Sequence, residues 1–560
     1  MSGTNGRADL VFVNGPVYTV DAARSWASAV AVKAGTIVAV GGDDDIRPWS
    51  GPHTEVVDLA GRMLLPGFQD AHIHPPASGL EMLRCNLTDL YTMGDYERVI
   101  AGYAAANPDA PWILGGGWYM DAFPGGTPTK EVLDSIVSDR PAFLTNRDGH
   151  GAWVNSRALA LAGVTRDTPD PSDGRIERTA DGEPSGTLHE GAMALVGSLA
   201  PMDSDEDYAA GLRVAQEYLH SLGITAWQDA IVGIDDSYRT LDMYAEAAGR
   251  GELSARVVGA LWWDRHRGLE QIDRLVDARE RAAVGRFAPT SVKIMQDGII
   301  ENFTAATLTP YLDAHGKPTE NRGISFVDPA LLHDAVTRLD ALGFQVHFHA
   351  LGDRAVREAL DAIEAALVAN GPSDNRHHLA HIQIVHPDDI PRFRRLGAVA
   401  NGQPLWALHE GQMDNLTIPF IGPERASWQY PFASLVRAGA TLAFGSDWSV
   451  SSPDPLMEMA IAVERRAPRN ASEPFGEGIT EVFLPEERID LATAIAAFTM
   501  GSAYVNHLDD VTGSIEVGKH ADVAVIDRNL FDVAPIELPQ ARVDLTFVEG
   551  ECVFDVSRTP

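Results

Sequence analysis

The chain has 560 residues, 45% hydrophobic and 22% charged, with 44 Lys+Arg against 79 Asp+Glu and a formal net charge of −35. This balance is ordinary for a globular protein and excludes a disordered or fibrous chain, and a surface so acidic argues against nucleic acid or an anionic membrane as partner. No run of about 20 apolar residues offers a membrane span, and two cysteines, Cys85 and Cys552, exclude a disulfide framework. The start, MSGTNGRADLVFVNG, has no basic region followed by an apolar core and predicts no cleaved signal. We expect a cytoplasmic protein.

Residues 9–65 read as short β-strands. Leu10–Val13 and Val17–Val20 flank the turn Asn14-Gly15-Pro16, and Ala29–Lys33 and Thr36–Val40 flank Ala34-Gly35. Apolar runs then recur at 64–72, 224–229, 255–261, 291–296, 344–349, 378–383, 397–402 and 441–447. Amphipathic stretches such as Pro329–Leu342 and Arg354–Asn370 lie between them. Alternating strands and helices predict an α/β fold with a parallel sheet, and eight units predict a closed, TIM-like (β/α)8 barrel over residues 64–509. The first gap is too long for one crossover, so residues 84–210 are expected to form an α/β insertion with turns at 121–128 and 167–186. Strand-like segments return at Ala521–Asp527, Thr546–Glu549 and Cys552–Phe554. The economical arrangement is one small β-domain built from both chain ends, 1–63 and 510–560; the alternative is two unrelated hairpins.

Barrel active sites form at the C-terminal ends of the strands. His72 and His74 end the first barrel strand and, two apart, aim to one side. His347 and His349 repeat the pattern on the fifth strand, His381 ends the sixth, Asp447 the eighth, and Lys293 lies on the fourth. Singly, each has a plain structural role: a hydrogen-bonded His, a helix-capping Asp, a salt-bridged Lys. Together, four imidazoles and a carboxylate on one rim suit Zn2+ or a similar divalent ion. Lys293, one of only five lysines, is no ligand as an ammonium. After reacting with CO2 its carbamate is an anion whose two oxygens can bridge two metals.

The chain resembles the amidohydrolase superfamily, and within it the YtcJ-like group (amidohydrolase family 3) that includes N-substituted formamide deformylases. The resemblance spans nearly the whole chain. It rests on PGFQDAHIHP (66–75), DGHGAWVNSRAL (148–159), GTLHEGA (186–192), VKIMQDG (292–298), HALGDRAV (349–356), GSDWSV (445–450) and GSIEVGKHADVAVID (513–527). It implies a metal-bearing barrel beside a β-sandwich, with His72, His74, Lys293, His349, His381 and Asp447 as the metal-centre positions. One or two Zn2+ ions, or other divalent metals, and a carbamylated Lys293 bridging a binuclear centre are expected. His349 is preferred over His347, which lies about 6–7 Å deeper on the same face. His381 is preferred over His377, expected on the same face about 13 Å deeper.

Such an ion lowers the pKa of water towards 7, and Asp447 is expected to take that water's proton and pass it to the leaving nitrogen. His150 and His189 are the next candidates for proton transfer. Trp118, Tyr119, Trp153, Trp262, Trp263, Trp406 and Trp448 crowd the motif loops, either as core or as the lining of an apolar pocket. Asp148, His150, Asn155 and Asn302 offer polar contacts, and residues 299–325, with Thr304 and Tyr311, are expected to fold over the site. The expected activity is metal-dependent hydrolysis of a non-peptide C–N bond in a small molecule, an N-substituted formamide or related amide. The alternatives are a cyclic amide, carbamate or lactone hydrolase on the same centre, and a non-catalytic regulatory protein, against which the intact ligand set argues. A homodimer is compatible with these features.

Overall fold

The computed structural model describes residues 6–234, 238–468 and 481–558. Residues 1–5, part of the start read for a signal, and 559–560, the last of the expected β-domain, lie outside them. Eight parallel strands follow one another in chain order around a sheet: β1 (Phe68–Ile73), β2 (Ile224–Val232), β3 (Arg256–Trp262), β4 (Phe287–Met295), β5 (Gln345–Ala350), β6 (His378–His381), β7 (Val399–Gly402) and β8 (Thr441–Phe444). The two edges meet at the rim. The Asp447 N–H donates to the His72 carbonyl at 2.8 Å, and the His74 N–H to the Trp448 carbonyl at 3.0 Å. The sheet is thus a nearly closed barrel, and its connecting helices pack their apolar stripes onto it. Pro329–Ala341 buries Leu332, Val336 and Leu339, and Asp353–Asn370 buries Val356, Leu360 and Ile363, at the three- and four-residue spacing of a one-sided helix. No helix among the described residues is long and apolar enough to cross a membrane.

The apolar run at 64–72 is two strands rather than one. Met63–Pro66 pairs antiparallel with Val523–Ile526 from the other end of the chain, while β1 enters the barrel. Gly67 makes the break: its N–H donates to Asp522, and a Cβ there would lie 2.3 Å from Thr225 Oγ1. The sheet containing this pair has six strands, and a four-stranded sheet of Leu10–Val13, Ala29–Lys33, Thr36–Gly41 and Glu55–Asp58 stands beside it. Phe12, Val30, Leu64, Val523 and Phe547 fill the space between them, so the two chain ends share one core.

A fourth sheet, six-stranded and mixed, is built from residues between β1 and β2. Its order is Gly174–Arg178, Pro184–Glu190, Gly151–Val154, Ala142–Asn146, Ile113–Trp118 and Cys85–Asn86. It brings the loop 147–150 and Glu190 to the barrel mouth. The helix Pro75–Met82, entered from His74, crosses the helix Asp205–Ser221 at paired glycines. A Cβ on Gly79 would sit 2.0 Å from the Gly211 carbonyl oxygen. Gly79→Ala should therefore lower stability by about 1–3 kcal/mol through overpacking, read as a lower denaturation midpoint. An unchanged midpoint would mean that the helices are free to part.

Candidate metal centre

Four histidines at the strand ends turn their rings into one basin. His72 Nε2 lies 3.2 Å from Asp447 Oδ1, and His74 Nε2 lies 2.9 Å from the same oxygen. The His381 ring stands 4.6 Å from that of His72 and 4.5 Å from that of His349, centroid to centroid. Lys293 Nζ is 3.4 Å from His72 Nε2. The structure thus brings together all six residues of the expected metal set. Donor atoms of His72, His381 and Asp447 lie within 4.8 Å of one another.

Backbone conformation aims two of these groups. Strict alternation on β6 would send His381 away from His378, which faces the barrel interior. A left-handed backbone at His381 (φ 76°) turns its ring back to the basin. The expected shared face of His377 and His381 is therefore wrong: His377 binds outward, its Nε2 3.1 Å from Asp340 Oδ1 on the helix Pro329–Ala341. Asp447 also has positive φ (56°) and lies past the end of β8, on a loop rather than a strand. Such conformations cost on the order of 1–3 kcal/mol each and persist where surrounding contacts hold them. Asp70 supplies such contacts, accepting the His72 N–H (2.9 Å) and the Ser446 hydroxyl (2.7 Å). This ties β1 to the Asp447 loop.

Gln403 Oε1 accepts from His381 Nδ1 at 3.0 Å. His349 Nδ1 is buried without a hydrogen-bond partner, with Asp297 Oδ1 3.4 Å away. His381 Nε2 is buried with no hydrogen-bond partner. A buried imidazole nitrogen with its lone pair free, in a basin shared with further imidazoles and the Asp447 carboxylate, fits the divalent ion that the fold implies. Burial, with the Lys293 charge second, pushes His72 well below the ordinary histidine range; burial, with neighbouring His381 second, does so for His349, and burial takes His381 to about 3. All three are neutral rings, the form that binds metal. Burial alone would raise Asp447, but the hydrogen bond from His74, first among the opposing causes, and the electrostatic influence of the surrounding basic side chains hold its carboxyl below the usual value.

Above the basin opens a cavity. His349, His381 and Asp447 form its base, Tyr119, Trp406 and Tyr430 its aromatic wall, and Ile299, Leu351, Leu405 and Met413 its aliphatic wall. Arg147, Asp148, His150, Glu301, Glu410 and Gln412 also line it. Asp148 and His150 thus face the cavity as expected. Trp118 and Trp153 do not. Both are fully buried in the core of the insertion sheet, with indole N–H groups on the Leu144 and Thr129 carbonyls at 2.8 Å. Trp448 packs on Tyr218 instead of lining the cavity. Asn302 stands one layer back, donating to Glu190 Oε1 at 3.0 Å. Aromatic residues near motifs are as useful to a core as to a pocket, and only packing separates the two.

The sequence reading assigned no role to Glu190, Arg147, Glu301 or Glu410. Glu190 has positive φ (52°), and its Oε1 accepts from His150 Nδ1 at 2.8 Å and from Thr304 Oγ1 at 2.9 Å. Burial would lower His150, but the Glu190 carboxylate outweighs it and raises the imidazole above its ordinary value. Their forty-residue separation hides this pair from any local pattern. Burial also pushes Glu301 up to about 7 and Glu410 up to about 8.

A profile described as amidohydrolase family matches residues 55–554. Protein LONG AFTER FAR-RED 3 of Arabidopsis thaliana is 30% identical over 98% of this chain and 92% of its own. N-substituted formamide deformylase of Arthrobacter pascens is 28% identical over 97% of each chain. The crystal structure of an uncharacterized metal-dependent hydrolase from Pyrococcus furiosus superposes with a TM-score of 0.69 at 25% identity, over 94% of this chain and 99% of that one. The chain belongs to the amidohydrolase family and is a metal-dependent hydrolase of carbon–nitrogen bonds other than peptide bonds.

Proposed function

We propose that this hydrolase cleaves the amide bond of an N-substituted formamide or closely related small amide. The observation that carries this reading is the placement of Asp447 within 3.2 Å of both His72 and His74 at the base of a cavity with one aromatic wall. Similarity to the Arthrobacter deformylase along the whole chain supports the substrate class. His72, His74, His349, His381 and Asp447 would hold Zn2+ or a similar divalent ion, with Lys293 joining a two-ion centre as its carbamate. Lys293 is fully buried, and burial brings its amine down to about 7, so the neutral form that takes up CO2 is populated near neutral pH. When bound, such an ion supplies Lewis acidity and a hydroxide nucleophile near pH 7.

The protein's own groups do the rest. Asp447, ionised and facing the basin, accepts the proton of the attacking water and returns it to the nitrogen that leaves as an amine. His150, held by Glu190, whose carboxylate raises the imidazole above its ordinary value, stands over the His349 ring at 5.2 Å between centroids. From there it donates a hydrogen bond to the acyl oxygen as charge develops. Trp406, Tyr430 and the aliphatic wall receive the group on nitrogen, while the acyl carbon sits against the metal-centre residues at the base, where a formyl group is favoured over larger acyl groups. A panel of N-benzyl and N-alkyl formamides, the matching acetamides, and cyclic amides and lactones tests the reading. Faster turnover of the formamides is expected; preference for the cyclic compounds, or no turnover of any formamide, would reject it.

The wall carboxyls add a pH-dependent preference. Glu301 and Glu410 are neutral at low pH and ionise as pH rises through about 7 and about 8. An N-substituent bearing an ammonium should therefore bind more tightly as pH rises. We expect KM for aminoalkyl formamides to fall between about pH 6 and pH 9 relative to neutral analogues of the same length, whose ammonium-free chain cannot respond. Parallel KM profiles for the two series would show that these carboxyls do not reach the substituent.

A further inference from the structure

Behind the metal basin the barrel interior holds a continuous chain of buried amides and imidazoles. Its orientation can be worked out from the carbonyls at its ends. Gln345 Nε2 donates to the main-chain carbonyls of Arg376 (2.9 Å) and Val505 (2.6 Å), which can only accept. Gln345 Oε1 is thereby free to accept from Gln228 Nε2, at 3.0 Å. The other proton of Gln228 Nε2 goes to Asn506 Oδ1 at 3.1 Å. Gln228 Oε1 is then forced to be the acceptor facing two rings, His347 Nδ1 at 2.6 Å and His378 Nε2 at 2.9 Å. Each of these nitrogens must carry its ring's proton.

The consequence reaches the basin by two arms. A neutral His347 with its proton on Nδ1 has a bare Nε2, and that atom lies 2.7 Å from His72 Nδ1. His72 must therefore carry its proton on Nδ1, which leaves the lone pair of Nε2 facing Asp447 and Lys293. On the other arm Asn401 Nδ2 donates to the Ala71 carbonyl at 2.9 Å and to His378 Nδ1 at 3.2 Å. Asn401 Oδ1 accepts from Gln403 Nε2 at 3.3 Å, so Gln403 Oε1 accepts from His381 Nδ1. His381 Nε2 is again left bare. His72, His347, Gln228, His378, Asn401, Gln403 and His381 are all buried, so no solvent can substitute for a missing partner, and an unsatisfied group here is costly.

We propose that Gln228 and His347 are positioning residues that fix the tautomer of His72, so that its Nε2 is presented as a lone pair to the metal, and that Asn401 and Gln403 do the same for His381 from a separate anchor on Ala71. The inference rests on the metal-centre reading above. It assigns Gln228 a role that no local motif marks, because it lies mid-strand on β2, far in sequence from every ligand. Its two arms differ in one respect. The His72 arm ends on Gln228 alone, whereas the His381 arm is held independently by the Ala71 carbonyl.

The test uses the full-length protein with 15N-labelled histidine, stripped of metal, and long-range proton–nitrogen correlation of the imidazoles at fixed pH. Zinc affinity is measured on the same samples by competition with a chromogenic chelator. His347→Leu and Gln228→Leu should remove the pure Nδ1–H pattern of His72, leave that of His381 in place, and weaken zinc binding about 10- to 100-fold. His347→Gln places an amide oxygen close to the lost Nε2 and should restore both the His72 pattern and the affinity to near the unsubstituted values. Unchanged affinity with an unchanged His72 pattern in folded Gln228→Leu would overturn the proposal, and Gln228→Leu decides it if His347→Leu does not fold. Failure of the metal reading shows differently: the unsubstituted protein would not bind zinc, while the tautomer patterns would still report on the relay.

Discussion

Asp447→Asn should lower turnover by about 10²–10⁴ while most of the bound metal remains. Asparagine keeps an oxygen in the place of Oδ1, 2.9 Å from His74 Nε2 and 3.2 Å from His72 Nε2, so a ligand survives. What is lost is a group able to take a proton from water and give it to a leaving amine. An amine is a poor leaving group unless protonated, so the second transfer matters as much as the first. The pH dependence has a definite sign. The folded carboxyl of Asp447 is held below its ordinary value, burial being outweighed by His74 and the neighbouring basic side chains. It therefore stays ionised as pH falls through the usual carboxylate range, and the stability that this contributes is lost only as pH drops through the depressed value. The acid limb of the activity profile should accordingly begin below the ordinary aspartate pKa. Near-normal turnover in Asp447→Asn would transfer the role to another group, with the Glu190-bound His150 first in line.

Lys293→Ala should release at least one metal ion and most of the activity with it. Lys293 is fully buried and stands 3.4 Å from His72 Nε2. A charged ammonium there would repel a cation, whereas a carbamate would attract two. Burial shifts the amine to about 7 against the opposing pull of Asp447 and Asp229, which makes uptake of CO2 feasible. Growth or incubation with 13C-labelled bicarbonate should give a carbamate carbon signal in the unsubstituted protein and none in Lys293→Ala. Full metal content and activity in Lys293→Ala, with no carbamate signal in either protein, would leave a single-ion centre without the lysine.

The barrel was legible because each of its strands is a short apolar run beside a helical period, and all eight occur where those runs lie. Helix and strand periods are local properties, and so is the placing of His72, His74 and His349 at strand ends. His381 was reached for the wrong geometric reason: alternation fails at a residue with φ of 76°, and such a backbone is dictated by tertiary contacts that no pattern displays. The pocket was read least well. Trp118 and Trp153 carry the same aromatic signal as Trp406, yet the first two fill a core and the third stands 5.3 Å from the His381 ring, in stacked orientation. Glu190 acts on His150, forty residues away, and Gln228 on His347, more than a hundred residues away, so their roles emerge only when the chain is folded.

The central claim is that a divalent ion held by the histidine and Asp447 basin is required to hydrolyse an amide C–N bond. The most direct measurement is formate release from N-benzylformamide by one preparation in three states: as purified, stripped by chelator and dialysed, and reloaded with stoichiometric zinc, with metal content determined in each. The account predicts release in the first, its loss with the metal in the second, and its recovery in the third, with His72→Ala failing to recover. Undiminished release from protein verified to be metal-free would contradict it.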